Sequence, residues 1–115
     1  GHDNIVTDLL KQGANVSMTD YLGRTALMFA AIDGYSSIIE VLLKNKAEIN
    51  AVDQEGNSAL LLAVKGNHED AVRVLLTDCP DIYAEDRGGS NAAQWAIKKK
   101  NSRIIQLLKS APPCN

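Results

Sequence analysis

The chain has 115 residues, enough for one domain with a modest core. Only 4% of its residues are aromatic and its net charge is −2, so we expect neither a core built on large rings nor a global basic field for nucleic acid. No apolar run approaches the roughly 20 residues that span a bilayer. Residues 1–10 are too polar for a signal peptide, and two cysteines are too few for a disulfide scaffold, so we expect an intracellular protein, cytoplasmic or nuclear or both.

A period of 33 residues runs through the chain, marked by Asp20, Asp53 and Asp86. The same spacing relates glycines, alanines and aliphatic residues further along each unit: Gly23, Gly56 and Gly89; Ala26, Ala59 and Ala92; Ala30, Ala63 and Ala96; Leu42, Leu75 and Leu108. The register extends back to Gly1. We therefore predict one repeat domain over 1–115, with a partial repeat at 1–19, repeats at 20–52 and 53–85, and a C-terminal capping repeat at 86–115.

Each repeat opens with a predicted turn and a short helix. Aspartate at the first position and glycine at the fourth are typical of a type I turn. Two residues after the glycine come Thr25, Ser58 and Asn91, all good N-caps for a first helix.

The second half of each repeat predicts another helix, with apolar residues at helical spacing, as in Ile38, Ile39 and Leu42. The chain must take a left-handed conformation between the two helices and again after the second. We expect it at Gly34, Asn67 and Lys100 between the helices. After the second helix we expect it at Gly13, Lys46 and Cys79.

These residues resemble the ankyrin repeat, a turn plus two antiparallel helices with a T-P-L-H-x-A signature opening the first helix. The matching segments are Thr25–Ala30, Ser58–Ala63 and Asn91–Ala96. Alanine replaces the proline in all three, which removes a rigid helix start. The resemblance implies an all-α ankyrin-repeat solenoid of about three and a half helix–turn–helix units, with β-turn or hairpin tips.

One such unit cannot bury its apolar stripes alone, so the units must stack. The resulting scaffold offers rows of side chains rather than a deep closed pocket. The resemblance therefore implies a protein–protein interaction module, an adaptor or regulatory scaffold without a cofactor, and not an enzyme. The last repeat has Lys109 where the earlier ones have Leu43 and Leu76, which fits a polar outer face at the end of the stack.

The resemblance implies partner contacts on a concave face made of turn tips and first helices. The matching tip residues are Tyr21, Leu22 and Arg24; Gln54, Glu55 and Asn57; and Arg87, Gly88 and Ser90. The matching helix residues are Ile32, Asp33, Lys65, Lys98 and Lys99. Tyr21 beside Leu22 is either an apolar anchor or a pair of scattered surface hydrophobes. Lys65 and Lys98 favour an acidic or mixed apolar-acidic peptide as the partner, and no membrane or small-molecule substrate is expected.

Two other site types remain open. Lys98, Lys99 and Lys100 with Arg103 form a basic cluster that suits nucleic acid, although the negative net charge favours a merely solvated end. His68 stands beside two acids, which suggests a metal or general-base site. His68 has no second histidine nearby, and with Cys79 it lacks an orienting third group. We align Trp95 with Phe29 and Leu62 and predict that it lies in the core.

Overall fold

The computed structural model of the chain describes residues 19–78 and 80–110. It contains six helices in this part of the chain, arranged as three antiparallel pairs: α1 (Ala26–Asp33), α2 (Ser36–Lys44), α3 (Ala59–Lys65), α4 (Glu69–Leu76), α5 (Ala92–Lys98) and α6 (Ser102–Lys109). The expected all-α solenoid of helix–turn–helix units is confirmed. The predictions for residues 1–18, Cys79 and residues 111–115 lie outside the described residues.

The first helix of each repeat begins where the cap residue predicts. Thr25 and Ser58 each accept a hydrogen bond through the side-chain hydroxyl from the backbone N–H three residues on, at 3.3 and 3.2 Å. The side-chain amide oxygen of Asn91 accepts from the Gln94 N–H at 3.0 Å, and that of Gln94 accepts in return from the Asn91 N–H at 2.8 Å. This reciprocal capping box satisfies two donors that the first turn of a helix leaves free.

The helices end in the left-handed conformations that the repeat pattern predicts. Gly34, Asn67 and Lys100 have φ of 74°, 58° and 55°, and Lys46 has φ of 67°. Left-handed backbone costs little at glycine and asparagine and more at lysine. The repeat thus imposes its turn even where the residue type does not favour it.

The helices pack in two rows. The first helices α1, α3 and α5 lie side by side, as do the second helices α2, α4 and α6, and each first helix also packs on its own second helix. The core lies between the two rows and between successive repeats. Its largest fully buried side chains are Leu27, Met28, Ile39, Leu42, Leu60, Leu61, Leu75, Ile104, Val64 and Val72.

Two aromatic side chains depart from the sequence-based expectation. Trp95, which we predicted to lie in the core, is half-buried and packs only against the edge of the core, and its register partner Phe29 is exposed. Large rings at this position lie at the surface, while the small residues Ala30 and Ala96 beside them are buried.

Candidate protein-binding surface

The turn tips are shaped by the aspartate that opens each repeat. The Asp20 carboxylate accepts hydrogen bonds from the N–H groups of Leu22 and Arg24, both at 2.9 Å, and the Gly23 N–H donates to the Asp20 carbonyl at 3.0 Å. The backbone N–H of Arg24, ahead of its guanidinium, holds the pKa of Asp20 below its ordinary value. The predicted turn is confirmed, and the same closing bond recurs at Gly56 and Gly89.

Neighbouring tips are joined by backbone hydrogen bonds. The Gln54 N–H donates to the Leu22 carbonyl and the Arg87 N–H to the Glu55 carbonyl, each at 3.0 Å. The Gln54 side-chain amide also donates to the Tyr21 carbonyl at 2.9 Å. The three tips therefore form one connected edge.

The first tip presents an apolar surface flanked by a cation. The Tyr21 side chain is 83% exposed, and Phe29 and Ile32 on α1 are exposed as well. Arg24 makes an ion pair with Asp20 at 3.0 Å, and its guanidinium lies 4.8 Å from the centroid of the Phe29 ring. Both contacts hold Arg24 in one position, so the apolar surface here has a defined shape.

The repeats at 53–85 and 86–115 are joined by a polar cluster. The Lys65 ammonium lies 3.1 Å from the Asp86 carboxylate and also donates to the side-chain carbonyl of Asn57, which is buried. The Trp95 indole N–H donates to the same Asp86 oxygen at 2.9 Å. The Ser90 N–H first, and then Trp95 and Lys65, hold the pKa of Asp86 well below its ordinary range. Of the two predicted contact residues in this cluster, Asn57 is buried and Lys65 is half-buried and paired within the stack.

Trp95 connects this cluster to the exposed lysines of the last repeat. The ammonium groups of Lys65 and Lys98 each lie 4.7 Å from the centroid of its ring. Lys98 and Lys99 are exposed, and neither makes an ion pair with another described residue. Trp95 was not among the predicted contact residues. Its half-buried ring beside Lys98 adds apolar area to the basic end of the surface.

The other predicted contact residues lie on the tips, except for Asp33, which lies at the C-terminal end of α1. Asp33, Gln54, Glu55, Arg87 and Gly88 are exposed, whereas Leu22 and Ser90 are half-buried. Their placement by repeat register puts them on the tips and at the ends of first helices, where the resemblance implied partner contacts.

Arg103, the arginine of the predicted basic cluster, has an acidic neighbour. Arg103 lies 3.7 Å from the Glu69 carboxylate. This pair reduces the net charge of the Lys98–Lys100 cluster. It also removes Glu69 as an unpaired acid beside His68.

His68 links two repeats. Its Nε2 lies 2.8 Å from the Ile32 carbonyl oxygen, and because a carbonyl only accepts, Nε2 carries the hydrogen. The ring packs so closely on Gly34 and Gly66 that a Cβ added at either glycine would lie 2.5–2.6 Å from it. Among the described residues no group of three His, Cys, Asp or Glu side chains is placed to hold a metal ion.

The comparison with known families agrees with this geometry. A family model described as ankyrin repeats, in three copies, matches residues 1–86 and 45–115. The chain belongs to the ankyrin repeat family. A search of curated proteins finds no match. Ankyrin repeats generally serve as protein–protein interaction modules, and the family is typically non-enzymatic. In the described part of this ankyrin chain, no helix has the length and apolar character needed to cross a membrane.

Proposed function

We propose that this ankyrin domain is an adaptor or regulatory scaffold that binds a partner protein through its turn tips and first helices. The observation that carries the proposal is the contrast along one edge. An exposed apolar tip around Tyr21 and Phe29 lies at one end, and the exposed Lys98 and Lys99, which make no ion pair with another described residue, lie at the other. The domain would therefore suit a partner segment with an apolar part followed by an acidic part.

The apolar end has the properties of an anchor site. Exposed Tyr and Phe side chains supply large contact areas at low conformational cost, and such residues dominate interface energetics. Arg24 is already ordered by Asp20 and Phe29. A partner that packs on Phe29 would not have to immobilise Arg24, which lowers the entropic cost of binding.

The basic end supports recognition of carboxylates. Lys98 lies against Trp95, so its ammonium is held near a half-buried apolar surface rather than fully extended in water. Lys65 does not add to this site because Asp86 neutralises it. Acidic side chains of a partner would meet Lys98 and Lys99, and their attraction would raise the association rate and weaken with salt.

The test begins with affinity purification using the intact parent protein, followed by binding measurements on variants with the partner obtained. We expect Tyr21→Ala to weaken binding roughly tenfold, as for an interface tyrosine, and Lys98→Glu to weaken it and flatten its salt dependence. Tyr21→Ala should not alter unfolding stability by more than about 0.5 kcal/mol, because Tyr21 is exposed. Lys98→Glu loses the contact with Trp95 and places a negative charge at the end of α5, so it should cost about 1 kcal/mol, and its binding is measured under conditions where it is folded.

Matched controls exist for both variants. Tyr83 is 77% exposed but lies outside the tips and first helices, and Lys44 is an exposed lysine at the end of α2 in the second row. Tyr83→Ala and Lys44→Glu should leave binding unchanged. If Tyr21→Ala binds like wild type, or if Tyr83→Ala loses as much as Tyr21→Ala, the tip surface is not the binding site.

Nucleic acid is the alternative ligand for the basic end. Neutralising Z phosphates makes log K fall with log salt at a slope of about −0.9Z for duplex DNA, so a duplex oligonucleotide titrated at several salt concentrations measures this directly. We expect weak binding, because Arg103 is paired with Glu69. If the oligonucleotide binds tightly, with a steep salt dependence that Lys98→Glu reduces, then nucleic acid rather than an acidic protein segment is the ligand of the basic end. Whether the ligand is a protein or nucleic acid, we propose that the protein is intracellular, cytoplasmic or nuclear or both.

A further inference from the structure

The loop between α4 and the last turn tip carries an exposed tyrosine. Exposed and half-buried side chains alternate along residues 81–86: Asp81, Tyr83 and Glu85 are exposed, and Ile82, Ala84 and Asp86 are half-buried. Tyr83 is 77% exposed, whereas Ile82 packs against the core and anchors the segment. The loop therefore holds the Tyr83 side chain out from the fold, with an exposed carboxylate two residues away on either side along the chain.

The exposure of Tyr83 does not depend on where the chain ends. Its register equivalent, 33 residues earlier, is Asn50, which has a following repeat beside it and is exposed all the same. The Asp81 N–H donates to the side-chain oxygen of Asn50 at 2.7 Å, so the following loop contacts this position without covering it. A further repeat packed in the same way would leave the position of Tyr83 exposed.

Surface side chains hold the backbone beside Tyr83. The Tyr83 N–H donates to the Asp81 carboxylate at 3.0 Å, and the Asp81 N–H donates to Asn50. Both acceptors are exposed side chains rather than carbonyls of a helix. Segments with solvent-exposed local hydrogen bonds open at low free energy. The cleft of another protein can therefore take up this loop without unfolding a helix.

The charges close to Tyr83 in the sequence are all negative. Within three residues on either side the chain has Asp81, Glu85 and Asp86 and no lysine or arginine. Asp86 is paired with Lys65, but Asp81 and Glu85 are exposed and make no ion pair with another described residue. Two carboxylates next to this tyrosine are therefore available to a basic partner.

The other tyrosines lack this combination. Tyr21 is 83% exposed, but Arg24 follows it and pairs with Asp20, the carboxylate before it. Tyr35 is only 39% exposed and forms the N-cap of α2. Both lie in the same folded chain and serve as internal controls for Tyr83.

We propose that Tyr83 is a phosphorylation site, the substrate of a protein tyrosine kinase with a basic peptide cleft. The kinase transfers the γ-phosphoryl group of ATP to the Tyr83 hydroxyl oxygen. The new O–P bond forms, the bond from the γ-phosphorus to the β,γ-bridging oxygen breaks, ADP leaves, and the phenolic proton passes to the catalytic aspartate of the kinase. Kinases discriminate their substrates by charge patterns, and Asp81 and Glu85 complement a basic cleft.

The modification would change the charge of the loop and leave the tip surface untouched. A phosphate adds about −1.5 to −2 charge and three strong acceptor oxygens next to Asp81 and Glu85. The proposal does not rest on the tip surface, because it uses a different loop and different residues.

The test uses the full folded chain with Mg-ATP and the catalytic domain of a purified tyrosine kinase selected for acidic peptide substrates. The chain has three tyrosines, and trypsin, which cuts after Lys and Arg, places them on the separate peptides 12–24, 25–44 and 74–87. Mass spectrometry therefore follows the three initial rates separately. Tyr83 should be phosphorylated roughly tenfold faster than Tyr21 or Tyr35, and Tyr83→Phe should remove most of the incorporated phosphate.

Charge variants test the role of the carboxylates. Asp81→Asn combined with Glu85→Gln removes both charges and keeps an acceptor for the Tyr83 N–H. This chain should show a several-fold lower kcat/KM at Tyr83. Glu40→Gln combined with Glu48→Gln makes the same change in net charge at exposed residues elsewhere, and should leave kcat/KM unchanged.

A synthetic peptide of residues 74–87 separates recognition of the sequence from access in the fold. Phosphorylation of this peptide without phosphorylation of the folded chain would overturn the proposal, because the fold would then withhold Tyr83. Failure of the kinase on both would show that the sequence is not a substrate. Equal rates at Tyr83 and Tyr21 in the folded chain, or equal kcat/KM for the two double variants, would also overturn it.

Discussion

The central repeat and the last repeat have the same register and the same elements but differ in burial. In the central repeat, α3 buries most of its length, whereas in the last repeat α5 buries only Ala92 and Ala96. Val64 is fully buried, and Ile97, one repeat later and more hydrophobic, is 63% exposed. The number of neighbouring helices, rather than residue type or period, therefore decides how much each position contributes to stability.

The largest test of this comparison is a leucine that all three repeats share. Leu42 and Leu75 are buried to 1% and 0% exposure, and Leu108 to 7%. Leu75→Ala and Leu42→Ala should each lower the free energy of unfolding by about 2–5 kcal/mol, because both leave a cavity between packed helices. Leu108→Ala should lose less, near the lower end of that range, because Leu108 is the most exposed of the three and its truncation removes less buried area. Urea denaturation measures all three.

Equal losses of unfolding free energy at Leu75 and Leu108 would show that the contribution of a buried leucine to stability does not depend on its place in the stack. A loss at Leu42 no larger than that of a typical surface substitution would mean that the core between repeats lies elsewhere.

The second test breaks the polar junction between the central and the last repeat. Asp86→Asn removes the negative charge that Lys65 and Trp95 share, and should cost on the order of 1–2 kcal/mol at neutral pH, since hydrogen bonds to charged groups are among the stronger ones. Asp33→Asn, at an exposed aspartate that makes no ion pair with another described residue, serves as the control.

The pH dependence of the same variant sharpens the test. Because folding lowers the pKa of Asp86, its carboxylate stabilises the native state above its ordinary pKa, near 4, and loses that contribution as pH falls below it. Wild type should therefore lose more stability than Asp86→Asn between pH 7 and pH 3. Parallel losses in the two proteins would contradict the assigned role of this carboxylate.

The third test compares two glycines with the same turn geometry. Gly56 and Gly89 have φ of 78° and 84°, so alanine at either position pays the cost of left-handed backbone, about 1–2 kcal/mol. A Cβ at Gly56 would also lie 3.1 Å from the Arg87 nitrogen, whereas at Gly89 it meets nothing within 4 Å. Gly56→Ala should therefore be less stable than Gly89→Ala by a further fraction of a kcal/mol in thermal unfolding.

If the two glycine variants unfold at the same temperature, the tips of neighbouring repeats are further apart than the structure places them. If Gly89→Ala lost more stability than Gly56→Ala, the tip with less room for a Cβ would be that of Gly89, contrary to the structure.

Local features of this fold follow from the sequence because their causes are local. The hydroxyl of Ser58 caps a helix whose first N–H groups need an acceptor, and Lys46 takes a positive φ because the repeat must turn there. These outcomes depend on residues a few positions apart. The 33-residue period carries such assignments from one repeat to the next, which is why the helices and caps of the described repeats could be predicted.

The candidate surface was harder to predict because its contacts cross repeats. By register, Lys65 and Lys98 are equivalent and were both expected to face a partner. Only Lys65 lies against Asp86, which opens the following repeat. Trp95 was assigned to the core by alignment with Leu62, but its ring is bound at the surface by the same aspartate. Which side chains meet across a junction depends on their lengths and charges, and the repeat pattern does not encode these.

The smallest expected effect is at the end of the stack, where Val64 and Ile97 form a matched pair. Val64→Ala removes two buried methyl groups and should cost about 1–2 kcal/mol. Ile97→Ala removes more atoms but leaves no cavity, and alanine is the better helix former, so stability should change by less than about 0.5 kcal/mol, with either sign. A clear loss at Ile97, measured by urea unfolding of the isolated chain, would mean that another part of the chain already covers this end.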